Sequence, residues 1–90
     1  MNVDVHLFGP LREDAGQKET TLSLDSDATV GDAVDALVEA YPDLEADLGS
    51  EAVESYSVTV NETDVKQLDG LDTDLDDGDV VRIAPPVVGG

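Results

Sequence analysis

The chain has no cysteine and no tryptophan, a single histidine, and only four cationic side chains among its 90 residues. Without cysteine there is no disulfide, no thiolate nucleophile and no cysteine-ligated metal. One histidine, His6, cannot build a histidine zinc cage, and no metal site is expected. Four cations, Arg12, Lys18, Lys66 and Arg82, are too few to clamp a phosphate backbone, which excludes nucleic acid as a partner. Anionic membrane surfaces are disfavoured for the same reason. The opening MNVDVHLFG lacks both a cationic region and an apolar run, so no signal peptide is expected. No stretch approaches membrane-spanning length. The expected location is the cytoplasm, and the length allows one small domain with a modest core.

What is abundant is acid. Twenty-two Asp and Glu residues give a formal net charge of −18, with Asp favoured fifteen to seven. Such a charge can mark disorder, but 40% hydrophobic content arranged periodically argues for a folded domain. In dilute buffer the surface would repel itself, whereas at ~1 M salt the Debye length falls to about 3 Å. The economical reading is adaptation to a salt-filled cytoplasm; the competing one is an acidic surface shaped by a basic partner.

Val3, Val5 and Leu7 alternate with polar residues as a half-buried strand, ended by Gly9–Pro10. The polar LREDAGQKE reads as a turn or irregular link. Leu22 and Leu24 mark a second strand, close enough to form a hairpin with the first. Thr29 is a helix N-cap with Asp32 three residues on, and Val30, Ala33, Val34, Leu37, Val38 and Tyr41 follow helical spacing up to Pro42. Leu44 and Leu48 suggest a short further turn. Tyr56, Val58 and Val60 form a third strand. A long polar connection follows, pinned by Val65, Leu68, Leu71 and Leu75. Asp77–Gly78 turns into a last strand with Val81 and Ile83 inward and Val80 and Arg82 outward. The order is β-β-α-β-β, an α+β fold with one main helix covering a mixed sheet.

Most candidate sites dissolve on inspection. Counted from Asp72, the acidic run DTDLDDGD puts Asp77 and Ile83 where a calcium loop needs Gly and Glu. Asn61-Glu62-Thr63 fits a glycosylation sequon but reads as an ordinary loop without a secretory signal. One histidine and no nucleophile motif make a hydrolytic triad hard to build. The C-terminus differs. Pro85 and Pro86 stiffen the exit from the sheet, Val87 and Val88 are apolar on an acidic chain, and Gly89 and Gly90 carry no side chains. Six residues at ~3.3 Å each extend about 20 Å. This is a projecting carboxylate, suited to chemistry performed in another protein's active site.

The segments LFGPLREDAG, ATVGDAVDAL, YPDL, VTVN and LDTDLDDGDVVRIAPPV, in this order and followed by GG, resemble the ubiquitin-like β-grasp proteins of the MoaD/ThiS family. The likeness is greatest to molybdopterin-synthase small subunits and small archaeal modifier proteins. Ala84 departs from the pattern, since relatives often place an aromatic residue before the paired prolines. The resemblance implies a single-domain β-grasp over residues 1–84 and an extended tail over 85–90. It implies a carrier rather than an autonomous enzyme. An ATP-dependent activating enzyme would adenylate the Gly90 carboxylate, the ATP being bound by that enzyme and no cofactor by this chain. The adenylate would then become a thiocarboxylate for molybdopterin synthesis on the large synthase subunit, or an isopeptide with target-protein lysines. Gly89 would give access, Pro85, Pro86, Val87 and Val88 would enter the partner's groove, and the sheet face around Phe8, Leu11 and Arg82 would dock. A dedicated molybdopterin-synthase subunit without conjugation, and a non-catalytic binding module, are the alternatives.

Overall fold

The computed structural model describes residues 1–49, 53 and 55–85. Strand β1 (Asn2–Leu7) leads through helix α1 (Pro10–Ala15) to β2 (Glu19–Ser23), then to helix α2 (Val30–Ala40). A 3₁₀ turn (Pro42–Leu44) and helix α3 (Glu45–Leu48) precede β3 (Ser57–Val60) and the two-residue β4 (Thr63–Asp64). Two further 3₁₀ turns, Val65–Gln67 and Gly70–Asp72, lead to β5 (Val80–Ala84). The sheet order is β2-β1-β5-β3-β4. β1 pairs antiparallel with β2 and parallel with β5, while β3 pairs antiparallel with β5 and β4. The mixed β-grasp sheet under one main helix is therefore present.

The period-two pattern places its apolar residues on one face. Val3, Val5, Leu7, Val58, Val60, Val81 and Ile83 are buried against Val30, Ala33, Val34 and Leu37 of α2. That helix starts where expected. The Thr29 hydroxyl accepts from the Asp32 N–H at 3.3 Å, and the Asp32 carboxylate accepts from the Thr29 N–H at 2.9 Å, a reciprocal cap that satisfies two otherwise unpaired donors. The predicted turn with Leu44 and Leu48 is the 3₁₀ turn followed by α3, and both leucines are buried.

Some expectations fail locally. The link after β1 is a helix, α1, begun by Pro10 in its first turn and closed by Gly16 in the left-handed conformation, φ 72°. Leu68, expected to pin the long connection, is 45% exposed, whereas Val65 and Leu75 are buried and Leu71 packs partly against the core. Backbone bonds hold that connection as well. Val30 N–H donates to the Thr73 carbonyl and Leu75 N–H to the Ala28 carbonyl, tying it to the start of α2. Gly31 allows this approach, because a Cβ there would lie 3.2 Å from the Leu71 carbonyl oxygen.

Candidate functional site

The C-terminal tail leaves from β5, the middle strand of the sheet. Leu7 on β1 lies opposite Ile83, and Ser57 on β3 lies opposite Ala84. Phe8, just past β1, donates its N–H to the Ile83 carbonyl at 3.2 Å, the last rung beside β1. Pro85 follows, half-buried. It has no N–H to donate to a neighbouring strand. Its ring lies where a Cβ on Gly9 would stand 3.0 Å away, and Gly9 itself has φ +63°. Gly9 is thus required twice, by its backbone angle and by the proline stacked on it.

Cations gather at this exit. Arg12, projecting from α1, donates Nε–H to the Leu7 carbonyl at 2.7 Å and lies 5.1 Å above the centre of the half-buried Phe8 ring. The contact is a cation–π pair that holds the ring in place. Arg82 sits on the outward face of β5, beside His6 of β1 in the parallel register. Nε2 of His6 is 3.4 Å from Oε2 of Glu19. Lys18 immediately precedes β2, its carbonyl accepting from the Leu7 N–H at 2.8 Å. On a chain with four cationic side chains, three therefore come from residues at or beside this end of the sheet.

Of the residues predicted to act, Pro85, Phe8 and Arg82 border the exit. Pro86, Val87, Val88, Gly89 and Gly90 lie outside the described residues. Leu11 does not belong to the docking surface: its side chain is 0% exposed. The unforeseen helix α1 turns it into the core, where an apolar side chain is favoured. Sequence reasoning missed Arg12 and Gly9; the scarcity of cations and the Gly9–Pro10 pair were the signals that could have marked them.

The other electrostatic feature lies at the α1–α3 seam. The Asp14 carboxyl titrates above its usual range, first because it shares a hydrogen bond with Asp47, then through desolvation, then through repulsion from Asp47, Asp43 and Glu13. The Tyr56 phenol is pushed up by burial, by its hydrogen bond to Asp47 and by the nearby negative charge. The acidic run before β5 is occupied with turn-making. Asp77 accepts from the Asn2 N–H at 2.7 Å and Asp79 from the Asp76 N–H at 2.8 Å. The Asn61 side chain bridges Asp79 and the Val80 N–H. Among the described residues, no group of three or more His, Asp or Glu side chains is placed to hold a metal ion, and no helix is long and apolar enough to cross a membrane.

The model of the ThiS family matches residues 5–90. The chain is 40% identical over 92 residues to small archaeal modifier protein 3 of Haloferax volcanii, with 100% of both covered. It superposes on the crystal structure of the small archaeal modifier SAMP1 from the same organism with a TM-score of 0.86 at 35% identity, again covering 100% of both. A chain from Pyrococcus furiosus described as molybdopterin converting factor subunit 1 gives 0.82 at 28% identity, over 97% of this chain and 99% of that one. With its grasp sheet, its central last strand and these likenesses, the chain belongs to the ThiS family of ubiquitin-like sulfur-carrier and modifier proteins.

Proposed function

We propose that this protein is a carrier whose reacting group is the Gly90 carboxylate, activated by an ATP-dependent enzyme of the ubiquitin-activating type. A carboxylate is a poor electrophile because its leaving group would be oxide. Attack of its oxygen on the α-phosphorus of ATP expels pyrophosphate and makes an acyl-adenylate, from which AMP departs readily. Hydrosulfide attacking the carbonyl carbon then displaces AMP and leaves a thiocarboxylate, the form that hands sulfur to a molybdopterin precursor on the large synthase subunit. A lysine amine on a target protein attacking the same activated carbonyl yields an isopeptide bond. In both outcomes this chain supplies the carbonyl and the partner supplies the catalytic groups. ATP belongs to the activating enzyme.

The observation that carries this reading is the family match running through the Gly89–Gly90 pair, together with full-length similarity to an archaeal modifier. The exit geometry supports it. β5 is held on both sides, so residues beyond Pro85 start from a fixed point. Pro85 and Pro86 narrow the directions available, Val87 and Val88 provide apolar grip, and Gly89 lets a narrow slot close around the backbone. Phe8 and Arg82, with Arg12 beside Phe8, form the docking rim. The similarity to the Pyrococcus protein favours the synthase role as a second reading, and the two readings share every step up to the adenylate.

Deleting Gly89 and Gly90 should abolish adenylate formation, read as ATP–pyrophosphate exchange with the activating enzyme of the host, while leaving the melting temperature unchanged. Intact mass of the tagged protein from its host should show replacement of one oxygen by sulfur. Diglycine remnants on lysines of other proteins would show conjugation. Activation of the truncated chain would overturn the proposal; absence of remnants under all growth conditions would leave the synthase reading.

A further inference from the structure

The two edges of the sheet are not equally closed to pairing. β4 at one edge is two residues long, too short to template another strand. β2 at the other edge is five residues, with no proline, glycine or lysine in it, and its register against β1 runs unbroken from Asn2–Ser23 to His6–Glu19. Leu7 N–H bonds to the Lys18 carbonyl and Leu24 N–H to the Met1 carbonyl. Alternation along an antiparallel ladder therefore turns the backbone groups of Thr20 and Leu22 towards β1 and those of Glu19, Thr21 and Ser23 outwards. Among the described residues, no strand takes up that outer row. Natural edges are commonly protected by bulges, proline, lysine or shortness. Among the described residues, the protection of this edge is acid.

The two sides of this edge differ in chemistry. An open groove of about 360 Å3 beside it is lined by Asp4, Glu19, Thr20 and Thr21. On the outward sheet face, one oxygen of Asp4 accepts from the Thr21 hydroxyl at 2.8 Å and one oxygen of Glu19 faces His6, leaving each carboxylate a second oxygen. On the opposite side Thr20 meets the Tyr41 hydroxyl at 3.3 Å, so that flank presents an aromatic side chain from the end of α2. A second copy of the chain would bring Asp4 and Glu19 against their own kind on a molecule of net charge −18, which is repulsive. A segment with cationic side chains at every second position fits both flanks.

We infer that the outer edge of β2 is a β-augmentation site for an extended basic segment of a partner protein. Its alternate Lys or Arg side chains face Asp4 and Glu19, and the intervening apolar side chains face Thr20 and Tyr41. Backbone bonds to Glu19, Thr21 and Ser23 supply affinity, and the carboxylates select the charge. The site is independent of the tail and of its proposed activation.

The probe is the acetylated, amidated peptide Lys-Val-Lys-Val-Lys-Val-Lys, titrated into the isotope-labelled full chain at about 1 M KCl. There the Debye length is about 3 Å and only contact pairs survive. The expected result is amide shifts and slowed hydrogen exchange concentrated at Glu19, Thr21 and Ser23. Thr21→Pro removes one outward N–H without touching the ladder to β1 and should weaken binding about tenfold. The double variant Asp4→Asn with Glu19→Gln leaves the backbone intact and should also weaken it, which keeps the test open if the proline variant unfolds. Equal affinity for the corresponding Glu-Val peptide would overturn the inference. So would shifts spread over the acidic face of α2, unchanged affinity in the variants, or the same amides engaged in a peptide-free dimer.

Discussion

Along β5, Val81 and Ile83 point into the core with 0% and 1% of their surface exposed, while Val80, Arg82 and Ala84 alternate with them on the outward face and stay half-open. The same alternation separates Val3, Val5 and Leu7 from Asp4 and His6 on β1. One face is aliphatic and touches only protein. The other carries Asp4, His6, Thr21, Thr59 and Arg82, none of them buried. The inward face draws its stability from area removed from water, which depends little on salt or pH. The outward face draws little stability from its charges, since exposed ion pairs contribute at most about 1 kcal/mol. Its side chains are free to serve recognition.

Two neighbouring substitutions separate the two faces most clearly. Ile83→Ala empties a core position on the middle strand and should cost about 2–5 kcal/mol, a fall in Tm of roughly 10–30 °C for a domain of this size. Arg82→Ala, one residue away, should stay within about 0.5 kcal/mol of the parent while weakening association with the activating enzyme. Thermal melts of both, with an activation assay on the second, check this. A large loss of stability in the arginine variant would mean that the outward face is structural after all.

The inward face was also the legible one. Alternation at Val3-Val5-Leu7 and Val81–Ile83, and the Thr29–Asp32 cap, are local patterns with one physical solution, so strands and main helix follow from them. Helix α1 was not legible. It holds one buried residue, Leu11, and a single apolar position has no period. What makes it helical is the placement of Pro10 and Gly16 at its ends. β4 is hidden for a related reason: two residues carry no alternation, and the hairpin depends on Asn61 and Glu62 both taking positive φ, 49° and 75°, the geometry a two-residue turn requires. The exposure of Leu68 beside buried Val65 is decided by how the connection is tied to α2, a long-range contact. The candidate site divides in the same way. The composition of the tail stands in the sequence itself, whereas the approach of Arg12 to Phe8 and of Pro85 to Gly9 exists only once α1 has formed.

A middle-sized effect should come from salt. Raising KCl from roughly 0.05 M to roughly 2 M shortens the Debye length several-fold, relieving the self-repulsion of a chain of net charge −18. Tm should rise by an amount of order 10 °C, equivalent to one or two kcal/mol. The loss caused by Ile83→Ala should be nearly the same at both salt concentrations, because the core is not screened. Equal Tm at the two concentrations would show that the acidic surface contributes no net repulsion, and would leave a basic partner as the explanation for its charge.

The smallest effect arises at a third place, the α1–α3 seam, where the Asp14 and Asp47 carboxyls meet. The Asp14 carboxyl titrates above its ordinary value of 3.8 chiefly because the hydrogen bond to Asp47 favours its protonated form. The folded state therefore binds this proton more tightly than the unfolded chain does. The resulting stabilisation is complete below the unfolded value and is lost as pH rises through the raised one. Near neutral pH the bond has given way to two carboxylates facing each other. Asp14→Asn keeps a donor towards Asp47 without the charge, so it should raise Tm slightly at pH 7 and have no benefit well below the carboxylate range, where Asp14 already carries its proton. The gain should shrink in concentrated KCl. Melts of the parent and variant across the acid range would read the sign. A lower Tm at neutral pH would mean that the Asp14 carboxylate is stabilised there by a cation, and that repulsion does not govern the seam.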